Sequence, residues 1–135
     1  MNNGRCWGVA VKVCEFLDRV RTENMLPGDF AALRFWAENA KYKEWRADPI
    51  GQISGIGLIT FQYLRMQAGI DTTMPDKIIK RAVGRVFGIS ARNDQDFIME
   101  MELLSRKIGC SQTLLCWAIW LKESDMKMSS WEKAG

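Results

Sequence analysis

Apolar residues recur at helical spacing along this chain, and each stripe is bounded by residues that start or stop helices. Val9, Val13, Phe16, Leu17 and Val20 form the first stripe. Pro27 opens a second through Phe30, Leu33, Trp36, Ala37 and Ala40. Asp48 followed by Pro49 reads as an N-cap and first helical residue, starting a short helix that stops at Ser54-Gly55. Another helix is expected from Leu58 to about Ala68, ending at Gly69. Pro75-Asp76 opens the next, to Phe87-Gly88. Asn93, with Asp96 three residues on, begins a further helix with Phe97, Met101, Leu104 and Ile108 facing inward. Ser111 caps the last, whose Leu114–Leu121 stretch is apolar on every side and therefore expected to be central. Alternating β-branched runs are absent. The pattern predicts an all-α orthogonal helical bundle, one domain over residues 1–135, with a tail frayed from residue 124.

Composition narrows the function classes. The chain has 135 residues, of which 47% are hydrophobic and 26% charged, enough for a core without disulfide or metal staples. No apolar run reaches membrane-spanning length, because Lys122 stops the longest. The N-terminus is charged within its first dozen residues and has no small-residue cleavage site, so a signal peptide is not expected. These readings predict a soluble cytoplasmic protein without membrane partners, nucleoid-associated if prokaryotic. Histidine is absent, which removes Ser-His-Asp triads, Cys-His pairs and His-ligated zinc. Cys6, Cys14, Cys110 and Cys116 have no metal-ligand spacing and are expected to be free, buried thiols. Trp7, Trp36, Trp45, Trp117 and Trp120 are expected in the core. Trp45 is the least settled of these, since Tyr42, Lys43 and Arg46 flank it. The acidic pairs Asp94/Asp96 and Glu100/Glu102 read as solvated faces.

The formal net charge of +3 is unevenly spread, with six Lys/Arg against two Asp/Glu in residues 51–92. Two features lie there. In DPIGQISGIGLITFQYL, residues 48–64, Gly55 and Gly57 form a turn that feeds directly into a helix N-terminus. Free amides of about Gly57 to Ile59 and the positive dipole end suit a phosphate. The same glycines also suit a tight corner between two helices. The second feature is the helix from Lys77 to Phe87. Lys77, Lys80, Arg81 and Arg85 share one side and no acid follows Asp76 within it. Such a stripe is either a solvated face or a contact for a nucleic-acid backbone.

SGIGLITFQYL followed by MPDKIIKR resembles the helix-hairpin-helix core of the endonuclease III-like DNA glycosylases. The family hairpin reads roughly L-P-G-h-G-x-K/x-T-A, and a catalytic aspartate follows before a later helix. Ile53, Gly55, Ile56, Gly57 and Thr60 match the hairpin, Asp76 falls at the aspartate, and Lys80-Arg81 resemble the basic residues after it. SRKIGCSQTLLCWAIWL looks like the family's later helix pair, so the resemblance covers roughly residues 46–121.

The resemblance implies a double-stranded DNA partner and a glycosylase-like fold. Ser54, Gly55, Gly57, Leu58, Ile59 and Thr60 would hold one DNA phosphate, with Lys77, Lys80, Arg81 and Arg85 adding charge. Main-chain carbonyls of Gly51, Ile53 and Ile56 would hold a monovalent cation, and no other cofactor is implied. Asp76 would stabilise an oxocarbenium-like sugar or orient a water, making the chain a monofunctional N-glycosylase of base-excision repair. Asp76 equally reads as an ordinary N-cap. The chain departs from the pattern in several places. Ile59 replaces the Schiff-base lysine of bifunctional members, so lyase chemistry through that position is not expected. Ser54 and Phe61 replace the usual proline and alanine, and the iron–sulfur loop is absent. The part before the hairpin is shorter than usual, which implies a shortened version or a homodimer or second chain completing the groove. Two alternatives stand beside the enzyme: a non-catalytic DNA-binding module with the same hairpin, and a helical protein-interaction domain on the same scaffold.

Overall fold

The computed structural model describes the backbone of residues 3–134 and the side chains of residues 4–124. Six α-helices and one short 3-10 helix account for its regular structure, with no strand among the described residues. The helices are α1 (Asn3–Glu23), α2 (Asp29–Asn39), α3 (Leu58–Gln67), α4 (Lys77–Phe87), α5 (Asp94–Ile108) and α6 (Gln112–Ala134). The chain divides into two compact units, Met1–Ile70 and Asp71–Gly135.

In the first unit α1 packs on α2, and α2 on α3. The α1 stripe turns inward as expected, with Val20 buried and Val9, Val13, Phe16 and Leu17 half-buried. The start of α2 differs by two residues from the expectation, because Gly28 rather than an earlier residue is its N-cap. Phe30, expected in the core, is 63% exposed in its first turn. Trp7 is also exposed, as are Cys6 and Cys14 on the same helix. The core centres on Phe61, which is fully buried. Trp36 meets its ring edge-on at 5.4 Å between centroids, and Trp45 at 6.5 Å and a tilt of 53°. Burial of one such ring contributes about 2–3 kcal/mol, and each aromatic pair about 1 kcal/mol more.

A 3-10 helix, Tyr42–Glu44, joins α2 to the segment before α3. Its ladder extends beyond those residues: Glu44, Trp45, Ala47 and Asp48 donate to the carbonyls of Lys41, Tyr42, Glu44 and Trp45, respectively. The short helix expected over residues 48–54 does not form. Gln52 donates to Asp48 across four residues and Ile53 to Ile50 across three, so the segment is a series of turns. One glycine and two β-branched isoleucines in so short a stretch leave helix nucleation uncompensated. Gly51 is required by packing, since a Cβ there would overlap the carbonyl oxygen of Trp45.

In the second unit α4 and α5 each pack on α6. Three expected caps are present. Asp76 accepts from the Ile79 amide at 2.7 Å, Asn93 from Asp96 at 2.8 Å and Ser111 from Leu114 at 3.1 Å. Ile79, Ala82, Val83, Phe97, Ile98, Met101 and Cys116 form the core. Ile108 is exposed rather than inward, one residue before α5 ends at Gly109. The central position expected for Leu114–Leu121 is not observed. Cys116 is buried, but Leu114, Trp117 and Leu121 are 60, 46 and 63% exposed. At 100° per residue these three fall on one side of α6, opposite the side holding Cys116 and Ile119. Fraying from residue 124 concerns a stretch whose side chains, from 125 on, lie outside the described residues.

Replacing Gly51 by alanine is expected to destabilise the chain by about 3 kcal/mol, because the new methyl group must displace the Trp45 backbone. Urea denaturation followed by tryptophan fluorescence measures this, and an unchanged midpoint would contradict the packing described.

Candidate functional site

The turn before α3 is built by two glycines in different ways. Gly55 has φ of +101°, a region disfavoured for side-chain-bearing residues, and a Cβ there would also lie 2.8 Å from Val9 Cγ2. Gly57 is the N-cap of α3 in extended backbone, and a Cβ there would meet nothing within 4 Å. Ile56 is buried between them and anchors the turn, while Ser54, Gly55 and Gly57 are exposed. No side chain caps α3. Its first intrahelical bond runs from Phe61 to Gly57, so the amides of Leu58, Ile59 and Thr60 precede the ladder. Leu58 turns its side chain into the core, whereas Ile59 and Thr60 are exposed. The result is a helix N-terminus with positive partial charge that no side chain caps among the described residues.

The carbonyls of Gly51, Ile53 and Ile56 are oxygen donors of the kind a monovalent cation takes. The Ile53 carbonyl already accepts from the Ile56 amide at 3.0 Å, and those of Gly51 and Ile56 accept none of the turn hydrogen bonds. The donor set fits such an ion in chemistry.

In the second unit, the basic face of α4 is less uniform than its own sequence suggests. Lys80 pairs with Asp94 at 2.8 Å and Arg85 with Glu123 at 2.6 Å. Acids from α5 and α6 thus neutralise half the stripe. Lys77 and Arg81 are exposed and make no ion pair among the described residues. Asp76 uses both carboxylate oxygens. Oδ1 accepts from the Ile79 amide, and Oδ2 accepts from the Trp120 indole N–H at 2.8 Å. The residue is therefore an N-cap that also ties α6 to α4. Sequence reasoning missed Asp94, Glu123 and Trp120 as partners, since none stands within a helical turn of the group it contacts.

The thiols are free, but only Cys116 is buried, contrary to the expectation for all four. Burial pushes its thiol up to about 11. Beside it Thr73 donates to the Gln112 side-chain oxygen at 2.8 Å, a buried polar pair. Among the described residues no group of three or more Cys, Asp or Glu is arranged to hold a metal ion. No helix of the described residues is long and apolar enough to cross a membrane.

Compared with known proteins, the chain matches no family model, no curated protein and no solved structure.

Replacing Asp76 by alanine removes a cap and a charge-assisted hydrogen bond, with an expected loss of about 2–3 kcal/mol in urea denaturation. A loss below about 0.5 kcal/mol would deny the tie between α4 and α6. The raised Cys116 thiol stabilises the fold fully below its ordinary range near 9.0 and loses that contribution as pH rises through about 11. Wild-type stability should therefore fall by about 2 kcal/mol more than that of Cys116→Ala across this window. Parallel pH profiles would contradict it.

Proposed function

We propose that this chain binds the sugar-phosphate backbone of double-stranded DNA, with the Gly55–Gly57 turn and the first amides of α3 as the seat for one phosphate. The observation that carries this reading is the open, uncapped N-terminus of α3 behind an exposed glycine turn. Backbone amides and the helix dipole recognise a phosphate without reading bases, so the binding is largely independent of sequence. The match of residues 53–60 to the hairpin of the endonuclease III-like glycosylases supports the same ligand. Lys77 and Arg81 on α4 add charge that favours a polyanion. A monovalent cation held by the carbonyls of Gly51, Ile53 and Ile56 would place further positive charge at the turn.

We read the module as non-catalytic. Both oxygens of Asp76 are engaged in hydrogen bonds that serve the fold, which favours the capping role over stabilising an oxocarbenium-like sugar or orienting a water. Base release from a lesion-bearing duplex that Asp76→Asn abolishes, with DNA binding kept, would instead assign the glycosylase activity.

Gly57→Asp separates the phosphate seat from a merely structural corner. The extended backbone at Gly57 suits an aspartate N-cap, and the space in front of it is open. Stability should rise by about 0.5 kcal/mol as the carboxylate caps the free amides. Duplex affinity should fall by about tenfold or more, because the same carboxylate occupies the seat and repels phosphate. Anisotropy titration and urea denaturation measure the two effects. Unchanged affinity in a stabilised variant would overturn the assignment of the seat.

A further inference from the structure

The link between α2 and the glycine turn separates its residues by chemistry. In a 3-10 ladder residues three apart lie on the same side. Tyr42, Trp45 and Asp48 form one row. Tyr42 is buried, Trp45 packs on Phe61, and Asp48 accepts from the Trp36 indole N–H at 2.9 Å. Lys43 and Arg46 form a second row, and both are exposed. Lys41 stands on the third row with Glu44, the only acid between residues 41 and 46.

These cations differ from Arg21, Arg34 and Arg65 of the same unit. Arg21 pairs with Asp18, Arg34 with Glu38, and Arg65 donates to the Gln62 side chain and the Ala37 carbonyl. Lys41, Lys43 and Arg46 make no ion pair among the described residues. The Arg46 guanidinium lies over the Trp45 ring at 5.4 Å, and the Lys43 ammonium 6.0 Å from the centre of the Tyr42 ring. An aromatic face steadies a cation without cancelling its charge. Both rings are held by the core, so the cations extend from a rigid base. The same ladder touches the segment that leads to the glycine turn, where the Trp45 carbonyl lies against Gly51.

We propose that Lys43 and Arg46, with Lys41 beside them, form a second contact for the DNA backbone, gripping phosphates other than the one seated at the glycine turn. The inference rests on the DNA-binding reading and names residues that the hairpin pattern does not contain. Preordered, unneutralised cations on one edge of a rigid turn suit a polyanion with regularly spaced charges. They discriminate by charge and spacing, not by base.

The test is fluorescence anisotropy of a labelled 20-base-pair duplex with the full chain between 50 and 200 mM KCl, values on the order used to resolve counterion release. The double variant Lys43→Gln/Arg46→Gln should bind about tenfold more weakly, and its log–log salt slope should be shallower by about 2, or 0.9 for each lost phosphate contact. Lys12→Gln/Arg19→Gln removes the same charge from α1 and should stay within about twofold of wild type. Lys43→Arg/Arg46→Lys should retain binding and show that the turn remains folded. Wild-type binding with an unchanged Lys43→Gln/Arg46→Gln variant overturns this inference and leaves the glycine-turn seat standing. Equal losses in the two neutralised variants also overturn it, since net charge alone then explains the effect. No duplex binding by the wild type overturns both this inference and the reading it rests on. Binding to phosphatidylserine vesicles but not duplex, lost in the turn variant, would assign the turn to a membrane surface and likewise overturn it.

Discussion

One carboxylate oxygen organises the first unit. Asp48 Oδ1 accepts from the Trp36 indole N–H and from the Ile50 amide, both at 2.9 Å. The first bond ties the turn segment to α2, and the second fixes the path of the chain just after Pro49. With Asp48 held, Trp45 lies against Phe61 and its carbonyl lies where only a glycine at 51 fits. The following residues then reach Gly55 and the start of α3 along a defined path. A half-buried carboxylate with two donors on one atom is stabilised by charge-assisted bonds. Removing it would leave an indole N–H and a backbone amide without partners.

The order this creates is useful because it leaves the polar ends free. The aromatic rings and Ile56 turn inward, while the amides at the head of α3 and the cations of the 3-10 turn stay outward. A helix N-terminus normally finds a side-chain acceptor, and here none is present among the described residues. The second unit satisfies its charges internally to a greater extent. Its N-caps are filled by Asp76, Asn93 and Ser111, and two of the four α4 cations pair with acids. That contrast makes the first unit the better candidate for the phosphate seat.

What was legible in the sequence was mostly local. The three caps of the second unit join residues three apart, so spacing alone identifies them. The glycine that ends α4 adopts φ of +68°, as a helix stop requires. Gly55 also has positive φ, but in a turn and not at a helix end. Contacts over longer separations were not legible. Lys80 and Asp94 are 14 residues apart and Arg85 and Glu123 are 38 apart, so a stripe that looks uniformly basic along α4 is half neutralised. The Leu114–Leu121 run shows the limit of composition. Its all-round apolarity suggested a central helix, yet α4 and α5 cover only one side of α6. The turns at residues 48–54 carried a valid Asp-Pro start signal. Asp48 does receive the Ile50 amide, but Gly51, lying against the Trp45 carbonyl, and the β-branched isoleucines do not sustain a helix.

The proposed phosphate seat consists of the backbone amides ahead of α3. The most direct measurement is a nitrogen–proton correlation NMR titration of the labelled chain with a short plain duplex. The amides of Gly55, Gly57, Leu58, Ile59 and Thr60 should shift together and saturate with one binding curve. Resonances of the α5 face around Met99 and Glu102 should stay in place. Shifts confined to other residues, or no change at duplex excess in low salt, would contradict it.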